Sequence, residues 1–374
     1  MIISFDIKKG HELRVAEQLD FICFVSESIN HVKVNASKLE IDMDKWPDQE
    51  MLQKIEQALR VAETFKLVPS RIIRTTSKRK QSTGKMIPVS THGGLMLKDD
   101  ETKYKQALDG YLQKMFSSNG ACIREYPTFL HEDIMNKCQY NHNFPQHTMR
   151  VAAIPHNNEI MGNYRADIVA DKDTASYFRM QPFYLRPCIC YHAYEEFSNY
   201  DSQSLIKKIT AGGKCFRNEL VGKRGETRLL EFHMREFVFV GTKTEVLNIR
   251  TEMMDLIWDL FLKLGLTGSI VSANDPFFTQ NENNKSVYQR AAELKYELIV
   301  SGKGDEDGYS IASFNYCGSA VCDAFGLNAN DVQHHSGCVA IGIDRWIQAL
   351  RSTHGPDVYN WPVEFRDILE EERR

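Results

Sequence analysis

The chain opens with apolar and polar residues alternating at period two, the pattern of a half-buried strand. Val32 and Val34 precede a turn-like Asn35-Ala36-Ser37-Lys38, and Leu39, Ile41 and Met43 follow it, which predicts a hairpin. Asp48 stands where it can cap a helix carrying Met51, Ile55, Leu59, Val61 and Phe65 at helical spacing. A small α+β module over residues 1–70 is expected. Residues 71–85, RIIRTTSKRKQSTGK, hold six basic residues and no acid. Residues 71–99 therefore read as a basic linker or loop, either a solvated tether or a dock for a polyanionic partner.

From residue 100 the pattern turns aromatic and apolar. Tyr104, Ala107, Leu108, Tyr111, Leu112 and Met115 predict a helix over 104–116, followed by CIREYPTFL, a strand-like run stopped by Pro127. KCFRNEL and RLLEFHMREFVFVGT flank the loop VGKRGET, which is the layout of a long antiparallel hairpin. A helix is expected over 246–264, and CVAIGIDRWIQAL reads as a strand entering a helix at Gly342 with Arg345 in its first turn. The fold class expected is α+β, an antiparallel sheet of six or more strands flanked by helices.

Composition narrows the function. Among 374 residues, 46 Lys and Arg against 50 Asp and Glu give a net charge of −4, which argues against dedicated nucleic-acid binding. No run approaches the ~18 apolar residues of a membrane span, and MIISFDIKKGHELRV lacks the layout of a signal peptide. A cytoplasmic protein without a membrane partner is expected. Nine scattered cysteines without a CxxC read as free thiols, core residues or metal ligands.

Arg217 and Glu219 lie two residues apart and would share one face of a strand. Alone, such a pair is more often a structural ion pair. Arg224 and Arg228 near the loop, with Phe232 and Arg235 on the returning strand, shift the balance, since guanidinium forks suit phosphates and an aromatic plate suits a base.

Phe216-Arg217-Asn218-Glu219 with Arg228, Phe232 and Glu236-Phe237 resembles the second signature motif of class II aminoacyl-tRNA synthetases. Gly342-Ile343-Asp344-Arg345 resembles the third, and CIREYPTFLHEDIM with Pro127 the first. Within that class, EYPTFLHEDIM, NFPQH, CICYHAY, LKYELIV, ASFNY and HSGCVAIGIDR are similar to amino acid:carrier protein ligases, truncated homologues of the zinc-dependent methanogen-type seryl-tRNA synthetase. The resemblance implies a class II synthetase-like catalytic domain over 100–374. It would activate glycine, alanine or serine with ATP as an aminoacyl adenylate and pass it to the phosphopantetheine thiol of a carrier protein.

By the same resemblance, Cys190, Glu236 and Cys338 would hold one zinc with a position left for the substrate's amino group. Cys188 competes with Cys190, which is preferred because Tyr191-His192 follows it. Arg217 would bridge the α-phosphate and the substrate carboxylate, and Arg345 would hold the γ-phosphate; these are the two catalytic candidates. Glu219 would accept from the adenine amino group, Phe232 would stack on the ring, and Arg228 would touch phosphate. Magnesium would bridge the phosphates near Ser313 and Asn315; no carboxylate around Ser310 matches the one that assists it in the synthetases, which leaves Glu297 as a candidate, and Cys317 stands where the family often has histidine. Thr148, His192 and Asn274-Asp275 are candidates for the amino-acid pocket, and a homodimer built on the first motif is implied. Two alternatives stand beside this reading. A tRNA-charging seryl-tRNA synthetase is favoured by the basic segment and opposed by the net charge and by the short stretch before residue 100. A non-catalytic paralogue is opposed by the intact Arg217, Glu219, Phe232 and Arg345.

Overall fold

The computed structural model describes residues 1–77, 84–90, 93–199, 207–278, 283–302, 308–328 and 333–371. In the N-terminal module, β1 (Ile2–Asp6), β2 (Ile29–Asn35) and β3 (Lys38–Met43) form an antiparallel sheet in the order β1-β3-β2. Ala36, at φ 52°, turns the expected β2–β3 hairpin. The Asp48 carboxylate accepts from the Met51 N–H at 2.8 Å and so satisfies one orphan donor of the helix Gln49–Thr64. Ile55, Leu59 and Ala62 of that helix pack with Leu39 and Ile41 in a core of the module's own.

The segment read as a linker begins differently. Ile72–Thr75 forms β4, an edge strand on β11 (Gly268–Ser272), with Arg74 paired to Asp255. Ile73 packs against the main core while Ile72 is exposed, and the arginines at 71 and 74 put charge on this edge, a usual guard against unwanted pairing. Residues 78–83 of the basic segment lie outside the described residues.

Beyond residue 99, β5 (Cys122–Arg124), β6 (Phe129–His131), β7 (Arg150–Ala153), β8 (Arg179–Leu185), β9 (Lys207–Phe216), β10 (Glu231–Gly241), β12 (Lys295–Val300), β13 (Tyr309–Gly318) and β14 (His335–Gly342) complete the strands. The main sheet has the order β4-β11-β12-β13-β14-β10-β9-β5, antiparallel except for the β5–β9 pair, and a smaller sheet has the order β6-β8-β7. The expected hairpin is β9–β10, yet β9 ends at Phe216. Arg217 and Glu219 therefore lie in the turn beyond the strand, and their two-residue spacing does not define a sheet face.

Register decides what the main sheet presents on each side. Glu236 lies opposite Ala211 and Ala340, and Cys338 opposite Val238 and Asn315. Since side chains alternate across a sheet, Phe232, Met234, Glu236, Cys338, Ala340, Asn315, Ser313, Glu297 and Lys295 share one face. The other face carries Phe237, Phe239, Val339, Ile341, Phe314 and Leu298, buried in one core with the helices Asp99–Ser118, Lys243–Lys263 and Ile343–His354. Each such side chain contributes about 1.5–3 kcal/mol on burial, so a one-residue slip that exchanged the faces is strongly opposed.

Arg235 falls on the helix side. Its Nε and Nη2 donate to Asp109 at 2.6 and 2.7 Å, a two-pronged pair linking β10 to the helix Asp99–Ser118. Three residues separate it from Phe232, so period two sends the two side chains to opposite faces. Arg235 is thus a structural cation rather than a companion of the phosphate-type arginines.

The N-terminal module sits against the loop between β9 and β10. Lys223 pairs with Asp20, Leu220 packs on the module's core, and Phe24 meets Phe278 with ring centroids 5.6 Å apart. Arg290 ties in Glu17 at 3.0 Å and the Val68 carbonyl at 2.7 Å. No helix of the described residues is long and apolar enough to cross a membrane.

Two predictions follow from this packing. Burial would raise the Asp109 pKa, but hydrogen bonds from Arg235 and His233 outweigh it and hold it at about 2. A depressed carboxylate pKa means that the pair's stabilisation is complete above about pH 4 and is lost as pH falls toward 2. Asp109→Asn should cost about 3 kcal/mol at pH 7 by stranding a buried Arg235, and urea denaturation should show a smaller difference from the parent at pH 3. Separately, a Cβ at Gly222 would lie 1.6 Å from the Asn30 carbonyl oxygen. Gly222→Ala should therefore release the loop from the module, seen as faster amide exchange over residues 219–224 with the exchange of β10 and β14 unchanged.

Candidate active site

A cavity of about 1310 Å³ opens on the polar face of the main sheet. Its walls include Arg217, Glu219, Arg228, Phe232, Ser313, Asn315, Arg345, Cys190, Glu236 and Cys338, so the ten candidate residues named from the sequence converge on one space.

One end is rich in guanidinium groups. Arg217 donates from Nε to the Pro187 carbonyl at 3.2 Å and lies 5.2 Å over the Phe232 ring. Arg228 donates to the buried Glu219 carboxylate at 3.3 Å. Arg345, in the first turn of the helix Ile343–His354, donates to the Thr227 carbonyl at 2.7 Å and the Ser310 carbonyl at 2.8 Å, tying the β9–β10 loop to β13. Burial, with Arg228 nearby, pushes the Arg345 pKa down to about 10, which leaves it charged at neutral pH. Three arginines gathered at one end, with Glu219 the partner of Arg228, favour a polyanion with several phosphates. Arg224 instead braces the loop backbone, donating to the Glu219 carbonyl at 2.9 Å.

Sulfur and carboxylate line the other end. Glu236 accepts the Ile189 and Cys190 N–H groups at 3.0 Å each, is 1% exposed, and joins no salt bridge among the described residues. Burial, then the Cys338 thiol, push its pKa up to about 7. Cys190, at the start of the helix Cys190–Ser198, lies 3.5 Å from Cys188 sulfur to sulfur. Asn315 donates to the Cys338 sulfur at 3.4 Å, and the Cys190 and Cys317 thiols hold the Cys338 thiol well below its ordinary pKa. The tightest group of possible ligands is Cys188, Cys190 and Glu236, all within 4.8 Å of one another. Cys188, weighed in the sequence as a rival of Cys190, is thus an additional thiol beside it. A buried carboxylate without a counter-cation, ringed by sulfur, has the donor chemistry that zinc takes.

Other expectations meet a different arrangement. Glu297 lies in the cavity opposite Ser313, but Lys295 neutralises it at 3.0 Å while also bonding Asp275 at 2.5 Å. Asn274 and Asp275 do line the space, whereas Thr148 and His192 are not among its lining residues. The Thr148 hydroxyl bonds the Phe144 carbonyl at 3.3 Å, and His192 is buried against Tyr126. The neighbour of Thr148, His147, does line the cavity, and burial with Arg217 pushes its pKa down to about 4, so it is a neutral imidazole at pH 7. Lys295 was legible, since it stands two residues before Glu297 and so shares its face. Asp20, Phe21 and Phe24, which form a wall from the N-terminal module, carry no motif that marks them.

Residues 178–354 match the model of the class II tRNA synthetase core domain (G, H, P, S and T). The chain is 35% identical over 190 residues to amino acid–acyl-carrier-protein ligase 1 of Bradyrhizobium diazoefficiens, covering 50% of this chain and 57% of that one. It is 26% identical over 250 residues to type-2 serine–tRNA ligase of Methanothermobacter thermautotrophicus, covering 63% and 48%. The chain spans about half the length of the curated relatives it matches. Among solved structures, M. kandleri seryl-tRNA synthetase in complex with A. aeolicus tRNASec superposes with a TM-score of 0.70 at 20% identity, covering 99% of this chain and 77% of that one. Seryl-tRNA synthetase from Pyrococcus horikoshii complexed with ATP gives 0.59 at 12% identity, covering 86% and 81%. With its eight-stranded sheet, its flanking helices and these matches, the chain has the fold of a class II tRNA synthetase core and is similar in sequence to the amino acid–acyl-carrier-protein ligases and the type-2 serine–tRNA ligases.

Proposed function

We propose that this protein is an adenylate-forming ligase. It activates a small amino acid, glycine, alanine or serine, with ATP and transfers the aminoacyl group to the phosphopantetheine thiol of a carrier protein. The observation that carries the reading is the union, in one cavity, of three arginines with a cluster of thiols around the Glu236 carboxylate. The relatives named as carrier-protein ligases support a carrier, rather than tRNA, as acceptor.

Attack of a carboxylate on the α-phosphorus needs two anions held together while charge moves onto pyrophosphate. Arg217 spans the α-phosphate and the substrate carboxylate, Arg228 contacts phosphate, and Arg345 holds the far end of the triphosphate. Phe232 stacks on adenine and Glu219 accepts from its amino group. Ser313 and Asn315 would hold magnesium, which would supply positive charge toward the phosphates, beside Lys295, which already balances Glu297. A zinc ion on Cys190, Glu236 and Cys338 would bind the amino nitrogen and so select an amino acid. Cys190 and Glu236 are fixed for this by the helix start and its two N–H groups, and Cys338 by Asn315.

The reading includes a homodimer. The helix Asn158–Val169 has no buried residue, with Val169 88% exposed, and Met180 and Phe129 of the small sheet are 69% and 51% exposed. A second copy packed on this face would cover them.

ATP–pyrophosphate exchange across the twenty amino acids should be supported by one or more of glycine, alanine and serine. Arg345→Ala should lower it at least about 100-fold without releasing zinc; exchange at the parent rate would remove Arg345 from the nucleotide site. Cys338→Ser should lose bound zinc and exchange together while keeping the parent's circular dichroism. Transfer of radiolabelled amino acid to a phosphopantetheinylated carrier, set beside transfer to tRNA, decides the acceptor. Val169→Asp should shift the sedimentation coefficient from dimer toward monomer.

A further inference from the structure

We propose that Cys188 is a reversible fourth ligand of the metal, closing its coordination when no amino acid is bound and leaving when the substrate's amino group arrives. The proposal deepens the zinc reading above and rests on it. Two thiolates on one tetrahedral zinc, with bonds of about 2.3 Å, stand roughly 3.8 Å apart. Cys188 and Cys190 stand 3.5 Å apart, close to that spacing and far beyond the ~2.05 Å of a disulfide. Glu236 lies within 4.8 Å of both, and it grips the N–H groups of Ile189 and Cys190, the same short turn that carries the two thiols. Any cation held by Cys190 and Glu236 therefore lies beside Cys188 as well.

The thiols differ in how firmly they are held. Cys190 begins a helix and is buried, and Cys338 is buried and takes a hydrogen bond from Asn315. Cys188 precedes the helix and is half-buried on the cavity wall, which makes it the sulfur able to swing away. Four protein ligands make a closed site and three an open one, so departure of this sulfur converts the first into the second.

The exchange also answers a proton problem. A free amino acid arrives as an ammonium, which has no lone pair to offer a metal. As Cys188 leaves, its metal–sulfur bond breaks and a metal–nitrogen bond forms. The ammonium N–H bond breaks and a thiol S–H bond forms, so the proton passes to the departing thiolate and no net charge is left over. Cys188 is thereby a proton acceptor as well as a ligand.

Cobalt(II) in place of zinc reports the thiolates directly, because the intensity of its sulfur-to-metal charge-transfer band scales with their number. Without amino acid, the parent should show three thiolates, and saturation with whichever of glycine, alanine or serine supports exchange should lower the band by about one third. Cys188→Ser, with Cys188→Ala as a second variant and circular dichroism as the check on folding, should begin at about two thirds of the parent band and stay there. In weakly buffered solution the parent should release no proton on binding amino acid, and the variants about one per site. Equal bands in the parent and both variants, with cobalt bound, would overturn the role of Cys188 alone. A parent band unmoved by amino acid would overturn the exchange. Failure of the parent to bind cobalt at all would overturn the zinc reading and this proposal together.

Discussion

The pairing of β10 between β9 and β14 is the constraint from which the rest of the catalytic region follows. It places Phe237, Phe239, Val339 and Ile341 under the helices and, by the same alternation, Phe232, Glu236, Cys338 and Ala340 toward the cavity. The apolar face supplies the free energy that holds the register. The cavity face inherits its geometry from that register, and on that side Cys338 is further held in a second core with Cys190 and Val238. Arg235 shows the rule at work, because one step along β10 from Glu236 turns a cation away from the cavity and into a structural pair with Asp109.

Charge divides the cavity into two ends with different tasks. Arg217, Arg228 and Arg345 gather at one end, where Glu219 pairs with Arg228, and this concentration of guanidinium groups favours a polyanion. At the other end Glu236 lies buried among thiols with no salt bridge among the described residues, and burial raises the cost of its negative charge. Lys295 sits between Asp275 and Glu297 as a cation already built into the wall. The cavity thus has one end rich in cations and another rich in sulfur, both over the same face of the sheet.

The N-terminal module takes part in this architecture. Asp20, Phe21 and Phe24 stand in the cavity wall, and the contacts of Asn30 with Gly222 and of Asp20 with Lys223 hold the loop that carries Arg228. A loop between two strands would otherwise be the least ordered part of the site. The module therefore acts on the cavity through packing and through the pairing of Asp20 with Lys223.

Local rules made much of this readable in one dimension. Period two revealed β2 and β3, strand-like runs beside a loop and before a helix revealed β10 and β14, helical spacing revealed the helices Gln49–Thr64, Asp99–Ser118 and Lys243–Lys263, and Asp48 marked the cap of the first, because each depends on residues a few positions apart. Motif resemblance assembled the ten site candidates, and Lys295 was readable from its spacing to Glu297. What stayed hidden depends on contacts between distant segments. That Ile72–Thr75 pairs with β11 across nearly two hundred residues, that Thr148 and His192 turn from the cavity while His147 faces it, and that Cys188 joins Cys190 and Glu236 were decided only in three dimensions. The order of residues set which side chains alternate and which helices are capped, since those energies are local. Which faces meet was decided by the burial of surfaces far apart in the chain, an energy that no short window of sequence contains.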